Sequence, residues 1–331
     1  MKGKDGISAL KGVTTRRAEL DWQRVQSVED LELGRKYLFR PEFIPLLYSY
    51  LGIRCGVIVA DVGCGTGSFS RLIARGLEGK GKIVGIDLDR NLLKIAGKMA
   101  EAEGLSDIIE FMCGDAYSLP LKDEAFDITT SHTLLDVLKN PMKCILEKKR
   151  VTKQGGIVSA VDTIGGIGAT SYRGDYKDFS GIERLKELED KNAKVWRERI
   201  FPKLAEWWWS NIQPSQFPKL FRDAGLKDIK VNGYLSLFSI SDSRYSLQEM
   251  KEYLRRDYED RVRKIRRSFI ENRKEYEEGG VADSDIEELI ALWKQKYEYL
   301  VQEPKRIREV WEMEARPRII ITGINRTHTK T

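Results

Sequence analysis

The sequence predicts an α/β protein built on a doubly wound, mainly parallel sheet. Three observations carry that reading. Short apolar runs alternate with helix-periodic segments between residues 35 and 161. A glycine-rich turn follows the first apolar run. A last apolar run, Arg318 to Gly323, returns after long charged helical segments. Such alternation lays strands side by side and covers both faces with helices.

Residues 35–52 read as a helix, since Leu38, Phe43, Leu46, Leu47 and Tyr50 recur at helical spacing. Pro41 suits a first turn and Gly52 an end. Val57 to Ala60 is a strand apolar on both faces. Phe69 to Leu77 restarts the helical period. Ile83 to Ile86 is a second strand, followed by a helix over Arg90 to Glu103. Ile108 to Cys113, Phe126 to Ser131 and Gly156 to Val161 are the next three strands. Residues 165–215 read as mostly helical. Phe217 to Ala224 is a helix closed by Gly225, and Ile229 to Ile240 a strand. Residues 244–315 read as long charged helices, with Ser284 and Glu287 as a capping box and Pro304 as a break.

This divides the chain into a tail (1–34), a core (35–164), a helical cap insertion (165–215), a core helix and strand (216–243), a second helical insertion (244–315) and the last core strand with its tail (316–331). No internal repeat is visible.

Composition excludes several classes. The 331 residues are 41% hydrophobic and 33% charged, with a net charge of +6. That is enough apolar material for a core, so the chain is not disordered. No apolar run approaches the length of a membrane span. Met1 to Gln26 lacks the apolar region of a secretory signal. The four cysteines form no C-x-x-C pair and only two histidines accompany them, so no metal site is expected. A reducing, cytoplasmic setting is expected.

The chemistry concentrates at strand ends. Asp61-Val62-Gly63-Cys64-Gly65-Thr66-Gly67 joins the first strand to the next helix. Alternate glycines allow a tight turn and close approach of a ligand to the peptide planes. Asp87 ends the second strand, where a carboxylate can accept two ribose hydroxyls. Asp115-Ala116 ends the third strand, followed by Leu119-Pro120 and Phe126-Asp127. A carboxylate there can receive the exocyclic amine of adenine. Nicotinamide-binding loops instead run G-x-G-x-x-G, and here the third glycine comes one residue early.

From Val57 to Val161 these motifs, with Ser131 to Pro141 and Gly155-Gly156, resemble class I S-adenosylmethionine (SAM)-dependent methyltransferases. The likeness is greatest to the ubiquinone/menaquinone C-methyltransferase branch. The resemblance implies a Rossmann-like seven-stranded sheet whose last strand is antiparallel. It implies SAM as cofactor and S-adenosylhomocysteine as product. By that resemblance Gly63, Gly65 and Gly67 lie under the methionine part, and Asp61 helps to hold its amino group. Asp87 binds the ribose, Leu88 packs on adenine, and Asp115 and Ala116 read it. Ser131 lies near the sulfonium, and Tyr37 and Arg40 are candidate carboxylate contacts. One departure matters: the histidine pair many relatives carry after the fourth strand is absent, and Leu135-Asp136-Val137-Leu138 stands there.

Methyl transfer is an in-line displacement, so the protein chiefly positions the partners. A base is needed only for a protonated nucleophile. His132, Asp162 and Tyr172 are the candidate catalytic residues, although for His132 a structural or solvent-facing role is the favoured reading over a base. The expected acceptor is a small molecule, taken up under a cap formed by the helical insertions. Trp207, Trp208 and Trp209 cannot all line one pocket, because consecutive helical residues face different ways. Two rivals remain. The basic helix 251–274 could dock RNA or protein as acceptor, yet Leu254, Tyr258, Val262, Ile265 and Phe269 give it an apolar face and make its charge a solvated one. A SAM-binding protein without catalysis is the other rival.

Overall fold

In the computed structural model the described residues are 28, 31–32, 35, 38–163, 170–172, 176, 179–203, 214–310 and 312–326. The strands are β1 (Ile58–Val62), β2 (Lys82–Asp87), β3 (Ile109–Cys113), β4 (Phe126–Thr130), β5 (Thr152–Thr163), β6 (Thr170–Tyr172), β7 (Lys227–Ser239) and β8 (Met313–Ile324). The helices are α1 (Ile44–Leu51), α2 (Ser68–Gly76), α3 (Arg90–Ala102), α4 (Pro141–Val151), α5 (Ile182–Val195), α6 (Phe217–Asp223), α7 (Leu247–Glu271), α8 (Arg273–Glu278), α9 (Asp283–Gln302) and α10 (Pro304–Glu309).

All strands join one sheet in the order β3-β2-β1-β4-β5-β8, with β7 on the far edge of β8. β1 to β5 pair in parallel. β8 runs antiparallel to both β5 and β7. Apart from the three-residue β6, an eighth strand paired with the projecting end of β8, this is the seven-stranded sheet with an antiparallel last strand that the resemblance implies. The order reverses at β1, which pairs with β2 on one side and β4 on the other. Open α/β sheets bind ligands beyond the strand ends at such a reversal.

Two apolar layers flank the sheet. On one face Val59, Ile83, Ile128, Val161 and Ile320 pack with Leu47 and Leu51 of α1 and Phe69, Leu72 and Ile73 of α2. On the other, Ala60, Val62, Val158, Ile319 and Ile321 pack with Cys144 and Ile145 of α4 and Phe217 and Phe221 of α6. Alternate strand residues serve opposite layers, so continuous apolar runs are what this sheet requires.

β7 and β8 outrun the sheet. The last β5 partner on β8 is Arg318, but β7 stays paired down to Met313. This projecting ribbon carries a second core. Phe238 and Ile240 at its tip pack with Leu185 and Leu188 of α5, Met250 and Leu254 of α7, and Leu289, Leu292 and Trp293 of α9. Among the described residues no helix is long and apolar enough to cross a membrane.

The structure corrects several sequence expectations. Residues 165–215 are not helical throughout, because Thr170–Tyr172 pairs with Met313–Ala315 as a strand. That ribbon also ends the second helical stretch before residue 315. Arg40 is extended, with φ −71° and ψ 140°, because a residue before proline is pushed out of the helical region. A 3-10 turn, Pro41–Phe43, therefore precedes α1. α9 starts at Asp283, with Asp285 accepting the Ala282 N–H at 2.8 Å. Ser284 thus lies inside the first turn and caps nothing. The reciprocal capping box belongs to Ser246 and Glu249 at the start of α7. Trp207, Trp208 and Trp209 lie outside the described residues.

Candidate functional site

The glycine turn rises from β1 into α2. Gly63, Gly65 and Gly67 all have positive φ, at 74°, 55° and 72°. Their surroundings differ. A β-carbon on Gly67 would sit 2.6 Å from the Phe111 ring, and one on Gly63 2.7 Å from Leu134. One on Gly65 would meet nothing within 4 Å. Two glycines are thus demanded by packing, and the third borders open space.

Two carboxylates flank the turn. The Asp87 Oδ2 accepts the Gly65 N–H at 2.8 Å, and its Oδ1 accepts the Asp89 N–H at 3.0 Å. Burial pushes its pKa up, while these backbone donors pull it down. A carboxylate has about four acceptor positions, so hydroxyl donors can still be taken. Asp61 is wholly buried. Its Oδ2 accepts the Ser70 hydroxyl at 2.6 Å, and its Oδ1 has no partner. Burial raises its pKa to about 6, against the pull of Ser70 and Arg35.

The end of β4 presents alternating faces. His132 is buried between the rings of Phe39 and Phe69, with centroids 5.1 and 5.0 Å away. Burial, then Arg35 and Arg318, hold its pKa well below the usual value, so it is neutral. Its Nδ1 faces the Arg35 Nε at 3.5 Å, and its Nε2 has no partner. Ser131 turns to the opposite face, where its Oγ accepts from the Lys148 Nζ at 2.8 Å. Lys148 is fully buried, also donates to the Ser159 carbonyl, and has its pKa lowered to about 8 by burial.

Asp162, near the end of β5, is fully buried and accepts the Leu134 N–H at 2.9 Å. The Asp136 carboxyl lies close enough to act on it, and one oxygen of each, Asp136 Oδ1 and Asp162 Oδ2, is buried without a hydrogen-bond partner. Burial and the Asp136 charge push Asp162 well above the carboxylate range, and burial raises Asp136. The place of Asp136 beside Asp162 comes from the turn that follows β4, where the Val137 and Leu138 N–H groups donate back to the Leu134 carbonyl.

Four participants lay outside the sequence reading. Tyr234 of β7 and Arg318 of β8 are cross-strand partners. The Tyr234 hydroxyl and the Arg318 Nε are buried without partners. Phe39 and Phe43 pack on the Tyr234 ring at 6.4 and 5.8 Å. Glu32 accepts from the Thr66 hydroxyl in the glycine turn and pairs with Arg71 at 2.5 Å. Arg35 lies within electrostatic reach of Asp61 and Arg318. The one legible signal was Arg318 itself, a cation leading the apolar Ile319-Ile320-Ile321 run.

The other predicted residues fall as follows. Asp115 accepts the Tyr117 N–H at 2.9 Å, and Ala116 packs at the margin of the α4-side layer. Leu88 is half-buried beside Asp87. Arg40 lies 3.7 Å from Asp242, with its Nε unpartnered. Tyr172 is a β6 residue, on the edge of β8 that β5 also uses. Tyr37 lies outside the described residues.

Comparison with known proteins fits this geometry. Residues 60–160 match the model of a methyltransferase domain. Demethylmenaquinone methyltransferase from Bacillus velezensis is 27% identical over 191 residues, covering 56% of this chain and 77% of that protein. The Lactococcus lactis enzyme of the same name is 28% identical over 182 residues, covering 53% and 68%. Phosphoethanolamine N-methyltransferase 2 from Haemonchus contortus, solved with SAM, is 16% identical with a TM-score of 0.47, covering 92% of this chain and 59% of that one. The matched domain begins in β1 and ends in β5, and so contains the glycine turn, Asp87 and Asp115. With that domain in a sheet of this order, the chain is a class I SAM-dependent methyltransferase.

Proposed function

We propose that this enzyme methylates a small-molecule acceptor held between the strand ends and the helical layer on the β7–β8 ribbon. One observation carries the reading. Buried polar atoms without protein partners lie at the ends of β1 and β4 and where β7 and β8 begin to project past β5: Asp61 Oδ1, His132 Nε2, Tyr234 Oη and Arg318 Nε. Native proteins leave few such groups, since each costs about 1–3 kcal/mol unless a ligand or water completes it. Their number here supports a site completed by its ligands.

The turn residues fit SAM. Gly65 borders open space, and the free oxygen of Asp61 is an acceptor for an ammonium group. Asp87 keeps acceptor capacity for ribose hydroxyls, and Asp115, at the end of β3, is the acceptor nearest the adenine side. Bound SAM supplies a methyl group on a sulfonium. The chain's own work is to orient, to exclude water and to receive a proton. His132, neutral and clamped between two phenyl rings, serves as a positioning wall. We assign the acceptor's proton to the Asp136–Asp162 pair, whose ionised carboxylate receives it, with Asp162 the residue that anchors the pair on β5. The described parts of residues 165–215 and 244–315 form the cap.

A docking role for the basic helix has less support. On α7, Arg255 pairs with Glu252 and Glu259, Arg261 with Asp257, and Arg263 and Lys264 with Asp260. Charges neutralised on their own helix have little left for phosphates.

The test uses SAM labelled in its methyl group and an extract separated into small-molecule, RNA and protein pools. Label is expected in the small-molecule pool; label confined to RNA or protein overturns the reading. Asp162→Asn is expected to lower turnover at least about tenfold, with S-adenosylhomocysteine affinity kept. Unchanged turnover removes Asp162 from the chemistry.

A further inference from the structure

Resting on the proposed methyl-transfer reading, we infer that Arg318 and Tyr234 form an oxyanion-binding site that selects acceptors bearing an ionised oxygen. The argument starts from charge. Arg318 lies largely out of water, and guanidinium stays ionised in proteins. Arginine in that position is almost always paired. Yet among the described residues no carboxylate pairs with it within 4 Å, and its one hydrogen bond there runs from Nη1 to the Pro317 carbonyl at 3.0 Å. Neighbouring Arg316, by contrast, is paired with Glu314 at 2.6 Å. The exception is therefore particular to this position.

The second observation is the kind of group that surrounds it. Tyr234, directly across the ladder, has an unpartnered hydroxyl, and burial raises its pKa, so it is a donor. His132 faces Arg35 through Nδ1, which leaves the proton on Nε2, also unpartnered. Phe39 touches both rings, at 5.1 Å from His132 and 6.4 Å from Tyr234. Ile320, two residues beyond Arg318 on β8, shares a layer with Val161, which His132 pairs with. Three groups with a donor to offer thus gather on one sheet face, two of them neutral. Preorganised donors with one buried cation match a negative oxygen.

The charged groups facing this spot are Arg35, Arg316, Asp136 and Asp162. Arg316 is neutralised by Glu314. Asp136 and Asp162 act on Arg318 from a distance, but among the described residues no carboxylate forms an ion pair with it, so the guanidinium keeps its donors for a ligand. A phenolate, an enolate or a carboxylate supplies such an oxygen, and the probes separate these sources.

The test is a titration of S-adenosylhomocysteine-loaded protein with 4-nitrophenol, whose phenolate is read by absorbance. 4-Nitroanisole, which cannot ionise, and 4-nitrobenzoate are the companion probes. The bound phenol is expected to ionise at lower pH than in water, and 4-nitroanisole to bind at least about tenfold more weakly, about 1.4 kcal/mol. Tighter binding of nitrobenzoate than of nitrophenol assigns the site to carboxylates, the reverse to phenolates and enolates. Arg318→Met is expected to abolish the ionisation shift, Arg318→Lys to keep part of it, and Tyr234→Phe to reduce it. Absence of binding, an unshifted phenol in the wild-type protein, or equal binding of nitroanisole overturns the inference, and none of these needs a variant to fold. S-adenosylhomocysteine affinity is measured separately: its loss in the wild-type protein defeats the methyltransferase reading, whereas its presence with an unshifted phenol defeats only the oxyanion site.

Discussion

Asp61 shows how one side chain serves fold and site together. One oxygen is tied to Ser70 at the start of α2, and the other is free. Its pKa of about 6 means that the carboxylate is ionised at neutral pH and protonates just below. An ammonium is held by the ionised form. Affinity for S-adenosylhomocysteine is therefore expected to be flat above pH 7 and to fall as pH drops through 6. Asp61→Asn is expected to be weak at every pH and to lack that dependence. Calorimetric titrations across this range check it; a wild-type affinity that rises on acidification removes Asp61 from the amino-group site. The linkage for folding has its own sign. A carboxyl with a raised folded pKa is stabilised by protonation, so Asp61 makes the unliganded protein less stable as pH rises from 3.8 to 6.

At the scale of an element, the glycine turn separates demands that look alike in sequence. Gly65 and Gly67 both need positive φ, which costs a β-carbon about 1–2 kcal/mol. Only Gly67 is also packed against a ring. Gly67→Ala is expected to destabilise the protein by more than Gly65→Ala does, through the Phe111 contact. Gly65→Ala is expected to spare most of the stability and to lose S-adenosylhomocysteine binding, because its methyl enters the open space. Urea unfolding with calorimetry tests both; equal stability losses with equal binding losses contradict the assignment. The same scale explains α7. Its sequence reads as a basic stripe, but acids one turn away neutralise most of it, and only their placement at three and four residues makes that visible.

For the whole molecule, the sheet layers and the ribbon-borne core share no residue. Damage to one is expected to leave the other. Leu289, nearly fully buried in the upper core, is the probe. Leu289→Ala is expected to cost about 2–5 kcal/mol. Hydrogen exchange is expected to rise in α5, α7 and α9, while β1 to β4 stay protected and S-adenosylhomocysteine still binds. Faster exchange throughout the sheet means that both cores unfold as one unit.

Much of this was legible from residue order. Apolar runs fixed the strands, since a strand buried on both faces has little freedom in composition. The turn, Asp87 and Asp115 announced themselves because each sits one step past such a run. What stayed hidden needed distant segments to meet. Tyr234 and Arg318 lie 84 positions apart and face each other through a β ladder, and nothing local to either marks a partnership. Asp136 becomes buried beside Asp162 only because β5 lies next to β4. Ser131 and His132 are neighbours in sequence, but the pleat sends them to opposite layers, one to Lys148 and the other to Phe39 and Phe69. Local chemistry follows from local order. Burial, and with it the proton affinity of a side chain and the absence of an ion-pair partner, is set by what the fold brings from elsewhere.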